Sequence, residues 1–201
     1  MGMVYVNDDD MTNIAVALRT KLKTDELFKP RQMAVVLQSL DVIKNDLPSL
    51  LNRSLTSFIE DSKITKVKTY GFAYCLMIHT VSLGSCTTLE DHAFYGCRNI
   101  KTISLPKVVT IGESALSGCE RIVTLTLPKV TSIGHYAMNN CVRLEELVLS
   151  NTTVCTLTNA DALVGTLIAE GNGKIKVPSN LVNSYKNASG WSTYASKIVA
   201  I

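Results

Sequence analysis

Apolar residues in the middle of the chain return at one fixed interval. Ile78, Ile100, Ile122 and Leu144 lie 22 residues apart, as do Val81, Ile103, Leu125 and Leu147, and Leu83, Leu105, Leu127 and Leu149. Cys75, Cys97, Cys119 and Cys141 keep the same step, and a further series runs Val67, Leu89, Ile111, Ile133, Cys155. A period in this range marks a solenoid, in which each repeat is one coil that buries its apolar side only against its neighbours. One coil reads as a strand (residues 100–105), a Pro-Lys turn, a second short extended piece (110–112) and a tight turn ending in the cysteine. Leu105-Pro106 and Leu127-Pro128 close strands where a missing N–H is tolerated. Gly96 and Gly118 stand before their cysteines, where the chain has to turn sharply. The coils are expected over residues 61–165. The first is partial, keeping Val67 and Phe72. The fourth is altered, with the counterpart of Asn140-Cys141 near Ala162-Leu163.

The flanks do not repeat. Over residues 1–60 the spacing predicts three short helices and one or two strands from Val4 to Val6. The first helix is capped by Asp10 and buries Met11, Ile14, Ala15, Leu18 and Leu22, the series of one helical face. A second begins near Pro30 and buries Met33, Val36, Leu37 and Leu40. A third follows Asp46 and Pro48, with Leu51, Leu55, Phe58 and Ile59 inward. So small a module has little core of its own and is expected to dock on the first coil or on a partner. Residues 166–201 read as a C-terminal cap. Thr166–Ala169 and Lys174–Val177 flank Glu170-Gly-Asn-Gly173, the signature of a hairpin or bulged turn. Asn180 or Ser179 caps a helix through Leu181, Val182 and Tyr185, and Trp191, Tyr194 and Ile198 follow at helical spacing. Trp191 is expected to be a packing residue.

Composition narrows the function. Of 201 residues 46% are hydrophobic and 18% charged, and the net charge is +3. Lysines and arginines are scattered, so the electrostatic footprint of a nucleic-acid binder is missing. Asp8, Asp9 and Asp10 stand where a secretion signal places its apolar run, and no apolar stretch is long enough to span a membrane. Leu127-Pro-Lys-Val-Thr131 has the look of a cell-wall sorting sequence, but Leu105-Pro-Lys-Val-Val109 shows it to be a repeated unit. The expectation is a chain made in the cytoplasm. Six cysteines could suggest disulfides, and in-register neighbours about 5 Å apart do not exclude a bridge. Parallel side-chain vectors suit the bridge dihedral poorly, so the expected state is a buried, reduced thiol behaving as a small hydrophobe.

The search for chemistry finds no catalytic group, cofactor site or metal site. His79, His92 and His135 fall in different slots of the coil, and no Cys-x-x-Cys occurs. Periodic inward cysteines are poor nucleophiles, because burial opposes the thiolate. Asp8 to Asp10 are read as capping and solubilising rather than as a cation site, and Gly171-Asn-Gly173 as a turn. The outward strand positions are more distinctive. Thr80 and Ser82, Thr102 and Ser104, and Thr124 and Thr126 alternate with inward aliphatics, and Thr88, Thr110 and Ser132 do so on the second strands. Stacking makes these residues ladders of hydroxyls on a flat, nearly uncharged face, broken at Glu146 and Val148. Threonine suits a solvated strand, which alone explains the ladders. The functional alternative is a contact face for a glycan or protein.

The unit Leu-Pro-Lys-Val-x-x-Ile-Gly-x-x-Ala-Leu/Met-x-x-Cys-x-x-Ile/Leu closely resembles the BspA-like leucine-rich repeat family, in which a Phe usually follows the Ala. Ala93-Phe94-Tyr-Gly-Cys97 keeps that Phe, whereas Ala115-Leu116 and Ala137-Met138 replace it. Lys174-Ile-Lys-Val-Pro178, Leu181-Val-Asn-Ser-Tyr-Lys186 and Trp191-Ser-Thr-Tyr-Ala195 are similar to the closing segment of such proteins from phages and prophages. Ile14–Arg19 with Lys29–Met33 resembles a short helical module of phage structural proteins. The resemblance implies an α+β fold, a leucine-rich repeat solenoid of about four 22-residue coils between an N-terminal helical module and a C-terminal hairpin-helix cap. It implies no enzymatic activity. The expected role is that of a phage virion protein (fibre, tail or head decoration) displaying the solenoid for host-surface attachment. Residues 1–60 would attach it to other virion proteins or to further copies of itself, and the solenoid would meet a host-surface protein or glycan. Nucleic acid and membrane insertion are not expected. The alternative is a bacterial cell-surface or secreted adhesin.

Overall fold

Outward hydroxyls alternating with inward aliphatics, many of them β-branched side chains, suit short strands, and among the described residues twelve short strands are joined by turns. The structure is a computed structural model that describes residues 57–59, 64–76 and 78–201. The helices read over residues 1–60 lie outside the described residues except at 57–59. There the chain is a strand rather than the end of a third helix.

Numbered in chain order, the leading strands of the coils are β1 (Ser57–Ile59), β3 (Thr80–Ser82), β5 (Thr102–Ser104), β7 (Thr124–Thr126) and β9 (Glu146–Val148). The second strands are β2 (Lys66–Val67), β4 (Thr88–Leu89), β6 (Thr110–Ile111), β8 (Ser132–Ile133) and β10 (Thr156–Leu157). Two more, β11 (Lys174–Val177) and β12 (Ile198–Ala200), follow near the C-terminus. Among the described residues all pairings are parallel, as they must be in the coils, where each strand meets its equivalent in the next coil. The 22-residue step is visible in the register, with Val81 beside Ile103 and Leu89 beside Ile111.

A third wall is built from turns. The amides of His92, Phe94 and Gly96 donate to the carbonyls of Glu113, Ala115 and Ser117, and those of Ser114, Leu116 and Gly118 to His135, Ala137 and Asn139. Intervening amides bond within their own coil, as Tyr95 does to His92 and Cys97 to Phe94. Backbone donors are thereby satisfied although the segment is not a strand.

The core is the column that these walls enclose. Ile78, Ile100, Ile122 and Leu144 are buried, as are the two series beginning at Val81 and Leu83. The second strands run continuously from β2 to β10. The leading strands do not: β1, β3 and β5 form one sheet, while β7, β9, β11 and β12 form another. Ile103, on β5 beside this break, keeps 7% of its surface exposed, whereas Val81 is fully covered.

Three expectations for the C-terminal part are corrected. First, the column Val67, Leu89, Ile111, Ile133 continues into Leu157 and not Cys155, because β8 pairs with β10 as Ser132 with Thr156 and Ile133 with Leu157. Two extra residues have entered the coil. Second, there is no hairpin around residues 170–173. Residues 166–172 are turns, steadied by the Thr166 hydroxyl, which donates to Leu163 O (2.7 Å) and accepts from the Ala169 amide (3.1 Å). β11 pairs in parallel with β9 on one side and β12 on the other. Third, the α-helix Val182–Asn187 enters through a 3-10 turn, Ser179–Leu181, with no side-chain cap from Ser179 or Asn180. Ile198 continues no helix but lies in β12, beside Ile175.

Trp191 is buried as a packing residue and does more than pack. Its indole N–H donates to Cys155 O (2.7 Å), and the Cys155 amide donates to the Tyr185 hydroxyl (3.0 Å). The two rings meet edge to face at 5.4 Å. Both backbone groups of a buried residue are thus satisfied from the C-terminal segment, and Tyr194 adds a bond to Ala160 O (2.5 Å). Among the described residues no helix is long and apolar enough to cross a membrane.

Candidate functional site

The nine outward hydroxyl residues do not form one face. Thr80 lies beside Thr102 and Ser82 beside Ser104 on the first sheet. Thr124 and Thr126 belong to the other sheet, beside Glu146 and Val148. The hydroxyl ladder is therefore interrupted between β5 and β7, where Thr102, Ser104, Thr124 and Thr126 are all exposed. Glu146 ends the strip with an ion pair to Lys176 (2.8 Å). Thr88, Thr110 and Ser132 form a separate, unbroken strip on the second strands, flanked by Lys66 and Thr156. Its hydroxyl residues are half-buried. The arrangement offers hydrogen-bond donors and acceptors to a ligand but groups no acid, base or nucleophile.

Charge is sparse and local. Glu90 bridges two coils, meeting Lys66 and Lys68 at 3.3 Å each and accepting from the Thr69 amide at 3.1 Å. Desolvation works against its charge, but the Thr69 amide and then the two lysines outweigh it, holding the carboxyl below the usual range. His135 Nε2 lies 3.2 Å from Asp161 Oδ2. His92 stacks on Tyr70 instead, so these two histidines do not meet.

All six cysteines are free thiols. Cys97, Cys119 and Cys141 are buried, and each thiol donates to a carbonyl 25 residues earlier: Phe72 O at 2.8 Å, Phe94 O at 3.5 Å and Leu116 O at 3.2 Å. Cys75, the first of the series, is only half-buried. Burial, followed by the neighbouring Cys75, pushes the Cys97 thiol far up, and burial followed by Cys141 does the same to Cys119. Burial also pushes Cys141 and Cys155 up to about 12. A thiolate nucleophile is thereby disfavoured at all four. Among the described residues no group of three His, Cys, Asp or Glu could hold a metal ion.

A feature missed by sequence reasoning lies on the turn wall. Tyr70, His92, Ser114 and Tyr136 occupy successive coils at the 22-residue step, and all four have positive φ (57, 58, 52 and 52°). A second such track runs Tyr74, Gly96, Gly118, Asn140. Glycine takes this conformation freely, whereas an L side chain costs about 1–2 kcal/mol there. Four of the eight positions nonetheless carry a ring. The Tyr70 and His92 rings stack at 4.5 Å and 21°, and Tyr95 sits edge-on to Tyr74 (5.2 Å) and against His92 (5.5 Å). Tyr70, Tyr74 and Tyr136 are exposed, at 49, 41 and 38%. Burial, followed by the Tyr95 phenol, raises the Tyr74 phenol above its ordinary value. The signal was present in the sequence, because reading the column 70, 92, 114, 136 at the core's own period lines the rings up.

The comparisons with known proteins agree with this architecture. The BspA type leucine rich repeat region matches residues 49–160 in six copies, more than half of the chain. The chain belongs to that family. Among solved structures it is similar to the leucine-rich repeat protein of T. pallidum (22% identity, TM-score 0.58, covering 75% of this chain and 70% of that one). It is also similar to a leucine-rich cell surface protein of Faecalibacterium prausnitzii (17% identity, TM-score 0.55, covering 70% of this chain). The chain spans only 35% of the length of the latter. No curated protein matches the sequence significantly.

Proposed function

We propose that this protein is a non-enzymatic interaction scaffold that displays its solenoid at the exterior of a cell or a phage particle. The observation that carries the reading is the division of chemistry between inside and outside. Buried thiols are held neutral, while outward strand positions in adjacent coils repeat small hydroxyls. Such a surface is made for contact. The hydroxyl strips Thr80–Thr102, Ser82–Ser104 and Thr88–Thr110–Ser132 are candidate contact residues, together with Thr124 and Thr126.

Two settings fit. The resemblance of the tail to the closing segment of such repeat proteins from phages and prophages, and of Ile14–Arg19 with Lys29–Met33 to a short helical module of phage structural proteins, is the support for a virion fibre, tail or head-decoration protein. In that setting residues 1–60 attach it to other virion proteins or to further copies, and the solenoid meets a host protein or glycan. The F. prausnitzii structure, described as a cell surface protein, favours a bacterial surface adhesin equally. Antibodies against the purified protein separate them. Immunogold labelling of intact phage particles induced from the encoding strain supports the virion, and labelling of intact uninduced cells supports the adhesin. Label confined to the cytosol, with no binding of the purified protein to bacterial or host cells, would sink the scaffold reading.

A further inference from the structure

We infer that Asn172-Gly173 is a self-modifying site, at which the folded protein slowly converts its own asparagine into aspartate and isoaspartate. The inference is independent of the scaffold reading. In the first step the Gly173 amide nitrogen loses its proton and attacks the carbonyl carbon of the Asn172 side chain. A carbon–nitrogen bond forms, the bond from that carbon to Nδ2 breaks, and Nδ2 takes up a proton from water and leaves as ammonia. Water then opens the five-membered imide. Attack at the side-chain carbonyl gives aspartate, and attack at the backbone carbonyl gives isoaspartate, with the chain running through the side-chain carbon. Water is the sole co-reactant, and nothing is oxidised or reduced.

Three conditions favour the attack, and they meet at this position. The residue after the asparagine must not shield its own nitrogen with a Cβ, and this is the only Asn-Gly step in the chain. The side-chain amide must be free to turn. Asn172 is exposed on a turn, and its side chain makes no hydrogen bond among the described residues. The side chains of Asn99, Asn139, Asn140, Asn151 and Asn187 instead donate to fixed acceptors, and none of these residues precedes a glycine. The attacking amide must also be unengaged. Gly173 is buried, yet its N–H donates to no acceptor among the described residues, a rare condition for a buried backbone donor. The Asn172 amide itself donates to Leu167 O (2.8 Å), so the turn is held up to the reacting residue and free beyond it.

The two products differ in what they do to the fold. Aspartate adds a carboxylate to a turn that the Lys197 ammonium already reaches, donating to Gly171 O at 3.2 Å. Opposite charges attract there, so the fold tolerates it. Isoaspartate adds one carbon to the backbone directly ahead of β11, where there is no room for it. A Cβ on Gly173 would lie 2.5 Å from Glu145 O, the oxygen that accepts from the Lys174 amide at 2.7 Å. That bond opens the pairing of β11 with β9. The isoaspartyl form therefore loosens the joint between the coils and the C-terminal segment.

The test incubates the full native chain at pH 6 and pH 8, beside the same chain unfolded in urea, and follows each asparagine by peptide-mapping mass spectrometry. In the native chain Asn172 should convert at least about tenfold faster than any other asparagine, because its neighbour alone lacks a Cβ. Conversion should be faster at pH 8, since the attacking nitrogen must lose its proton. Asn172→Gln should abolish it and leave the melting temperature unchanged, and Asn172→Asp should melt as the parent does. The isoaspartyl form, separated by ion exchange and identified by isoaspartyl methyltransferase labelling, should melt lower and exchange its Lys174 amide faster. The inference is overturned if Asn172 persists in the native chain while the unfolded chain loses it, or if another asparagine converts as fast. An isoaspartyl form that melts as the parent does would overturn the loosening of β11.

Discussion

A buried thiol is a pH-sensitive element of stability even when it does no chemistry. Cys141 titrates near 8.5 in an unfolded chain and is pushed up to about 12 by burial in the fold. The folded state therefore holds its proton in the window between these values while the unfolded state loses it. Stability is full below about 8.5 and falls as pH rises towards 12, by about 1.4 kcal/mol per pH unit for each such thiol. Cys97, Cys119 and Cys155 are raised in the same sense. Melting curves between pH 8 and 11 should show this decline, and Cys141→Ala should flatten it while lowering stability at pH 7. Thiol labelling gives a second reading. Cys75, half-buried, should react first, and the other three periodic cysteines only with unfolding. Rapid labelling of all four in the native protein would contradict their placement.

Among the elements, the coils were the most legible part of the sequence. An unbroken step of 22 with aliphatics at fixed slots admits little besides stacking, and the buried series Ile78 to Leu144 follows from it. Ile103→Asp should cost several kcal/mol and abolish cooperative melting, because the column offers no partner for a charge. The errors arose where the step changes or where the pattern is degenerate. Cys155 took the place of Leu157 because both suit an inward slot and the two inserted residues leave no mark. The Lys174–Val177 strand was legible but its partner was not, since period-2 alternation is the same in parallel and antiparallel pairs. At the candidate site the individual hydroxyl residues were legible, but their separation into strips was not, because residue spacing does not reveal which neighbouring strands bond. Close approach between coils was also hidden. A Cβ on Gly134 would sit 2.7 Å from the carbonyl carbon of Gly112, so Gly134→Ala should destabilise by about 1–3 kcal/mol, measurable by urea denaturation.

For the molecule as a whole, the family match from residue 49 and the pairing of β1 with β3 bear on where the solenoid starts. A fragment of residues 49–201 should melt close to the full chain. One of residues 61–201 loses β1, bares the edge of β3 and should melt lower. Equal melting of the two would mean that β1 contributes nothing to the stack.

The separation of the leading strands between β5 and β7 has a mechanical consequence. A linear array in which each unit couples only to its neighbours behaves like a chain of springs, and its cooperativity is set by the weakest coupling. Here one coupling has lost a ladder of bonds that its neighbours keep, while the second-strand and turn walls still span it. Under load or warming the array should part there first, into one block carrying β1 to β6 and another carrying β7 to β12. Amides at the start of β7 should then exchange with solvent faster than their equivalents on β9, and a pulling experiment should record two rips rather than one.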